Sequence, residues 1–397
     1  MELSLKRNSP KERREAFADL LNQRDIDLAI ISNPKHIFYF TGVSSNLNMY
    51  LTLMKGPRST SFLAIKRDGQ ASLLLGKSEM ANPWSHKKSN LNKVFDGEIS
   101  TYTDYDANER VVAYGDFLSS EFSRWLEGLA HENKLIGIEE WNLAEQYRSS
   151  ISAVANGAKM VGLSRAILSM REVKGKDEIQ SLIAATKMLD FAYKYARLNA
   201  RQGKTEVDIY REMNYHAFQK YGPFGWIIGD NVSGERSLEV GGWATDRRLK
   251  RGDTVVLDLQ ASCNNYWSDL CRTFVVGKKP TNEQRRVLLT LIRSLERAKE
   301  VMRPGVKGKV VHSAVNDEIT KNGYPKIPHH VGHSIGLDDQ EPPWFIPTSE
   351  EKLEEGMVCV VEPGIYDKSA GGIRIEDAFV ITRDGNEKIS HYPLGSL

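Results

Sequence analysis

An α/β unit followed by an α+β unit is the architecture this sequence predicts, on two patterns. Residues 10 to about 150 alternate helix-like runs with short apolar strands, the sign of an α/β layer. Beyond about 160, two helical stretches precede a strand pair and the same order then repeats, implying two similar halves closed around a common centre. The expected units are residues 1–160 and 161–397.

In chain order, Pro10 to Arg24 reads as a helix, and Leu28–Ser32, Thr60–Ile65 and Ala71–Leu75 read as strands. The run AIISNPKHIFYFTG, residues 29–42, reads as a buried strand, a turn and a second apolar run. A joint precedes REVKGKDEIQ, where Asp177 and Glu178 open a long helix to Ala200. The first helix pair spans about 177–222 and the second about 281–322.

Each pair leads to a hairpin carrying two acids. In TVVLDLQASCNNYWSDLCRTFVVG, residues 254–277, strand-forming runs flank Asn264-Asn265. The midpoint of Asp258 and Asp269 falls inside that turn, so a symmetric hairpin sets them directly opposite, with Cβ atoms roughly 4.5–5.5 Å apart. Two anions held face to face among apolar residues repel unless a cation lies between them. In GMVCVVEPGIYDKSAGGIRIEDAFVIT, residues 356–382, Glu362 and Glu376 have their midpoint at Ser369 and can also meet across a hairpin. Alternation places Arg374 on the face of Glu376, where it can hold a ligand, and turns Asp377 away. Between the hairpins, PHHVGHSIGL supplies His333, with Gly332 and Gly336 freeing the backbone around it. Asp258, Asp269, His333, Glu362 and Glu376 together suggest a hydrolytic metal centre.

Composition limits the alternatives. The 54 basic and 52 acidic residues give a net charge of +2, which makes no electrostatic case for nucleic acid or an anionic membrane as partner. Hydrophobic content of 40% suffices for ordinary cores. Three cysteines suggest no disulfide framework. No apolar run approaches the roughly 20 residues of a membrane span, and MELSLKRNSPKERREAF lacks a signal-peptide core, so a cytoplasmic protein is expected.

Through the Asp258–Asp269 hairpin, GHSIGL, VEPGIY and GIRIED, residues from about 160 onward resemble the pita-bread metallopeptidases, a family that includes methionine aminopeptidase, aminopeptidase P, prolidase and creatinase. Residues 29–42 resemble the creatinase/prolidase amino-terminal domain. The resemblance implies a creatinase/prolidase-like α/β domain plus a pita-bread α+β catalytic domain. It further implies that Asp258, Asp269, His333, Glu362 and Glu376 bind two divalent metal ions per chain. Four carboxylates and one imidazole make a hard, oxygen-rich set that favours Mn, Co or Fe, with Zn also admissible. By the same resemblance Glu362 shuttles a proton, Glu376 bridges the ions and His329 contacts substrate, while Arg374, from its place on the strand, is a further catalytic and substrate-binding candidate. The implied activity is an Xaa-Pro dipeptidase or aminopeptidase acting on small peptides. Relatives pair so that one amino-terminal domain covers the partner's cleft, which implies a homodimer with Asn46–Tyr50 contributing.

Two positions depart from the family pattern. Where an imidazole is expected before the first hairpin the chain has Gly241 or Gly242, and seven residues after His333 it has Gln340. Gln340 still donates through its amide and remains a substrate-binding candidate, and neighbouring Asp339 is a candidate base. These departures leave alternatives open: a C–N hydrolase or lyase acting on a small zwitterion or amide, or a metal-binding protein with little catalysis.

Overall fold

A computed structural model describes residues 7–43, 61–77, 94–103, 105–106, 111–112, 116–130, 134–222 and 225–395. Asn46–Tyr50 lies outside the described residues. The chain divides into two compact units, Lys6–Met170 and Arg171–Leu397.

In the first unit, helix α1 (Pro10–Gln23) opens at Ser9, whose hydroxyl caps the Glu12 N–H, and proline occupies the first turn where its missing N–H does no harm. Strand β1 (Leu28–Ile31) follows, and then the apolar run after Asn33 forms helix α2 (Pro34–Thr41). The Asn33 side chain caps the Lys35 N–H, and left-handed Gly42 ends the helix. The remaining elements are β2 (Phe62–Lys66), β3 (Ala71–Gly76), β4 (Glu98–Tyr102), the short ladder β5 (Tyr105–Asp106) with β6 (Val111–Val112), α3 (Asp116–Ala130), β7 (Leu135–Ile138), α4 (Glu145–Val154), β8 (Lys159–Gly162) and α5 (Ser164–Glu172). Six strands form one mixed sheet in the order β4-β3-β2-β1-β7-β8. The boundary lies beyond residue 160 because β8 pairs in parallel with β7 and so belongs to this sheet.

The second unit repeats one plan. Helices α6 (Lys176–Asn199) and α7 (Glu206–Tyr221) precede a sheet of β9 (Ile227–Ser233), β10 (Thr254–Cys263) and β11 (Tyr266–Val275). Helices α8 (Asn282–Val301) and α9 (Gly308–Lys321) precede β12 (Gly332–Ser334), β13 (Val358–Val361), β14 (Gly364–Asp367), β15 (Gly371–Arg374), β16 (Asp377–Ile381) and β17 (Asn386–Lys388). Here β12, β13, β16 and β17 form one sheet, and β14 pairs with β15. The halves are joined at the centre: the Glu376 N–H donates to the Cys271 carbonyl at 3.0 Å, and Thr273 exchanges hydrogen bonds with the Arg374 backbone.

The two hairpins differ in how closely they follow the expected symmetry. Gly364 pairs with Arg374 and Val361 with Asp377, so the intervening Glu362 and Glu376 fall opposite each other, centred on Ser369 as expected. The first hairpin departs. Asn264 and Asn265 take φ of 50° and 69°, the left-handed pair that a two-residue turn requires, so Cys263 pairs with Tyr266. Asp258 therefore faces Cys271, and Asp269 faces Gln260. The acids are diagonal rather than directly opposed. Because the shift is an even number of residues, both still project from one face of the sheet.

Candidate metal centre

His333 occupies β12 because Gly332 lets the chain pass against β13. With φ at 157°, a Cβ on Gly332 would lie 2.1 Å from the Val360 carbonyl oxygen. The His333 Nδ1–H donates to the Ser334 carbonyl at 2.9 Å, which leaves the Nε2 lone pair aimed inward. That atom faces Asp269 Oδ2 at 3.9 Å and Glu362 Oε1 at 3.7 Å. Acceptors facing acceptors require a cation between them.

The donor atoms of Asp269, His333 and Glu376 lie within 4.8 Å of one another, and so do those of His330, His333 and Glu362. Asp258 adjoins this group through Asp269 and Arg374. Both Glu376 carboxylate oxygens and Asp258 Oδ1 are buried without a hydrogen-bond partner among the described residues. Orphaned carboxylate oxygens fit a divalent ion, which replaces the missing donors.

Electrostatics agree. Burial, reinforced by Glu362 and Asp230 against the opposing Arg374, pushes the Asp258 carboxyl up to about 6. Burial and then neighbouring carboxylates drive Asp269 and Glu376 well above the usual range. Glu362 goes the other way: burial opposes its charge, but the hydrogen bond from His330 and the charges of His333 and His329 hold it below the usual range. Burial lowers both His329 and His333, whereas Glu362 raises His330 despite its burial. Burial and mutual repulsion disfavour the charged forms of Asp258, Asp269 and Glu376, and a bound cation offsets both.

Arg374 is committed to the protein's own groups. It lies 2.7 Å from Asp258 Oδ2 and 3.3 Å from Asp230 Oδ2, and donates to the Val240 carbonyl and, at 3.1 Å, to the Tyr366 hydroxyl. Tyr366 in turn reaches His329 Nε2 at 2.9 Å, and the His329 Nδ1–H donates to the His330 carbonyl. Asp339 and Gln340 are exposed. Their neighbours Asp338 and Glu341 are held instead by Arg171, and Glu341 also by Lys174 at 3.1 Å. Asp377, turned away as alternation requires, pairs with Arg272 at 2.8 Å.

Sequence reasoning missed three residues here. His330 stands three positions before His333, an H-x-x-H spacing that signals metal ligation. Tyr366 shares the alternation of Glu362 and Gly364, and period two alone would have placed it on the site face. Asp230 carries no local signal, because only the pairing of β9 with β10 sets it opposite Asp258.

Known proteins resemble the chain throughout. Residues 13–173 match the creatinase/prolidase N-terminal domain, and residues 180–383 match metallopeptidase family M24. The Xaa-Pro dipeptidase of Pyrococcus furiosus is 28% identical over 96% of this chain and 98% of its own. An uncharacterized peptidase of Bacillus subtilis is 32% identical over 66% of this chain and 74% of its own. Among solved structures, the prolidase of Pyrococcus horikoshii superposes with a TM-score of 0.79 at 26% identity, covering 97% of this chain and 100% of that one. With the pita-bread arrangement and its inward-facing acids in view, the chain belongs to metallopeptidase family M24.

Proposed function

We propose that this chain is a dinuclear metal-dependent hydrolase, an Xaa-Pro dipeptidase or aminopeptidase acting on small peptides. One observation carries the reading: a buried imidazole lone pair and carboxylate oxygens left without a hydrogen-bond donor among the described residues converge on one place. The Xaa-Pro dipeptidase and prolidase relatives support the same activity. Asp258, Asp269, His333, Glu362 and Glu376 would hold two divalent ions, and their hard donor set favours Mn, Co or Fe, with Zn admissible. Such ions supply Lewis-acid polarisation of a carbonyl and acidify water.

The chain's own residues do the rest. Glu362, with His330 Nε2 2.8 Å from its Oε1, is the group suited to take a proton from the attacking water and return it to the leaving amine. Arg374 fixes the Asp258 carboxylate and steadies Tyr366, which in turn holds His329, the substrate-binding candidate. Exposed Gln340, with its amide donor, is a substrate-binding candidate, and neighbouring Asp339 a candidate base. The three cysteines carry no disulfide, which supports a cytoplasmic location, and the family resemblance supports a homodimer. Among the described residues no helix is long and apolar enough to cross a membrane.

Asp230 favours a second reading. Its carboxylate fills the space beside Gly241, where family peptidases carry an imidazole, and this suits a C–N hydrolase or lyase acting on a small zwitterion. Metal analysis followed by turnover of an Xaa-Pro dipeptide panel and a small-amide panel separates the two. Cleavage of amides alone, with every dipeptide untouched, would replace the peptidase reading with the second.

A further inference from the structure

Directly across β9 and β10 from Asp258 stands Asp230, so the two side chains leave one face of the sheet a single cross-strand spacing apart. The guanidinium of Arg374 lies between them, nearer Asp258 at 2.7 Å than Asp230 at 3.3 Å. Asp258 takes the shorter contact with that guanidinium and Asp230 the longer one. Their exposures differ: the side chains of Arg374 and Asp258 are 3% and 12% exposed, whereas that of Asp230 is 36% exposed. Asp230 is the solvent-facing end of the pair.

The chain is shaped to put a carboxylate there. A Cβ on Gly241 would lie 2.3 Å from Asp230 Oδ2, so a side chain at 241 and the observed carboxylate exclude one another. The Gly242 N–H donates to Oδ1 at 2.8 Å and holds it in place. A carboxylate offers about four acceptor positions, and one N–H with one long guanidinium contact leaves some of them for a ligand. An imidazole in this space could donate or accept while neutral, but a carboxylate only accepts and carries charge. Exposed Val240 and Trp243 flank the glycines, and an indole face suits the stem and head of a cationic side chain.

We propose that Asp230 is a specificity-determining residue that selects substrates with a positive charge beside the scissile bond. The inference rests on the Xaa-Pro peptidase reading. In such substrates the proline and the α-ammonium are constant, so the charge that varies, and that can be selected, belongs to a lysine or arginine side chain on the preceding residue. A glutamate there meets the same carboxylate and is repelled.

The test compares Arg-Pro, Leu-Pro and Glu-Pro as substrates of manganese-loaded protein. Arg-Pro should exceed Leu-Pro in kcat/KM by about fivefold, the selectivity of a partly exposed ion pair, with Glu-Pro below both. Asp230→Asn should bring the Arg-Pro to Leu-Pro ratio close to one, and Asp230→Glu should preserve it. Calorimetric titration of manganese-loaded protein with arginine and with leucine, the amino-acid products of those two substrates, reads the same selection without turnover. A wild-type ratio near one, or a ratio unchanged in Asp230→Asn, overturns the inference while leaving the peptidase reading standing. If no dipeptide is cleaved the peptidase reading fails, and the binding ratio still decides whether Asp230 selects cations.

Discussion

Replacing Asp377 by alanine probes the joint that holds the two halves of the centre together. Arg272 and Asp377 are fully buried and pair at 2.8 Å, and Asp377 also accepts from Ser390 at 2.7 Å and Lys388 at 3.2 Å. Removing one partner of a buried pair leaves the other charge uncompensated, which destabilises by about 3–5 kcal/mol. Here the stranded guanidinium keeps the Tyr392 carbonyl at 2.7 Å and the Cys271 carbonyl at 2.8 Å, which argues for the lower end of that range, about 3 kcal/mol. Arg272 also donates to the Glu376 carbonyl, so a guanidinium that shifts moves the backbone of a proposed ligand. Metal affinity should therefore fall together with stability. Hydrogen exchange of β11 and β16 in metal-free protein under increasing denaturant reads the stability of this unit by itself, and competition with a chelating dye reads the affinity. A loss under about 1 kcal/mol with unchanged affinity would refute the claim that this pair fastens the centre.

Metal analysis of purified protein should find about two divalent ions per chain, and Asp269→Ala should lower both occupancy and turnover. Full activity after metal stripping would contradict the site. Gln340→His should raise Xaa-Pro cleavage by restoring the imidazole expected seven residues after His333, and unchanged or lower cleavage would count against the peptidase reading. Asp339 is exposed, so Asp339→Asn should be mild, whereas a loss of roughly 10²–10⁴-fold in rate would identify it as a base. Glu341 sets a pH dependence. Burial opposes its charge, but Arg171 and Lys174 hold its carboxyl below the ordinary 4.5. With the folded pKa depressed, its contribution is present above 4.5 and is lost as pH falls from there through the folded value. Denaturation midpoints measured down the acid range should therefore fall more steeply for wild type than for Glu341→Gln, and parallel slopes would refute the assignment.

Periodicity along the chain settled which side chains share a face. Glu362, Arg374 and Glu376 point inward and Asp377 outward because a strand alternates with period two, and this holds whatever the strand pairs with. The Glu362–Glu376 register was legible too, since the ladders on either side of the pair share one centre at Ser369. The Asp258–Asp269 register was not read correctly, because left-handed Asn264 and Asn265 close a tighter turn than the midpoint of the acids implies. The even offset preserved the shared face, so the five-residue cluster remained visible despite the wrong pairing. Tertiary structure alone decided that Asp230 faces Asp258, that Arg374 is spent on the protein's own carboxylates, and that Arg171 and Lys174 hold the loop beside Asp339 and Gln340. Each of these contacts joins residues far apart in the chain: local pattern sets the direction of a side chain, and only packing sets what it meets.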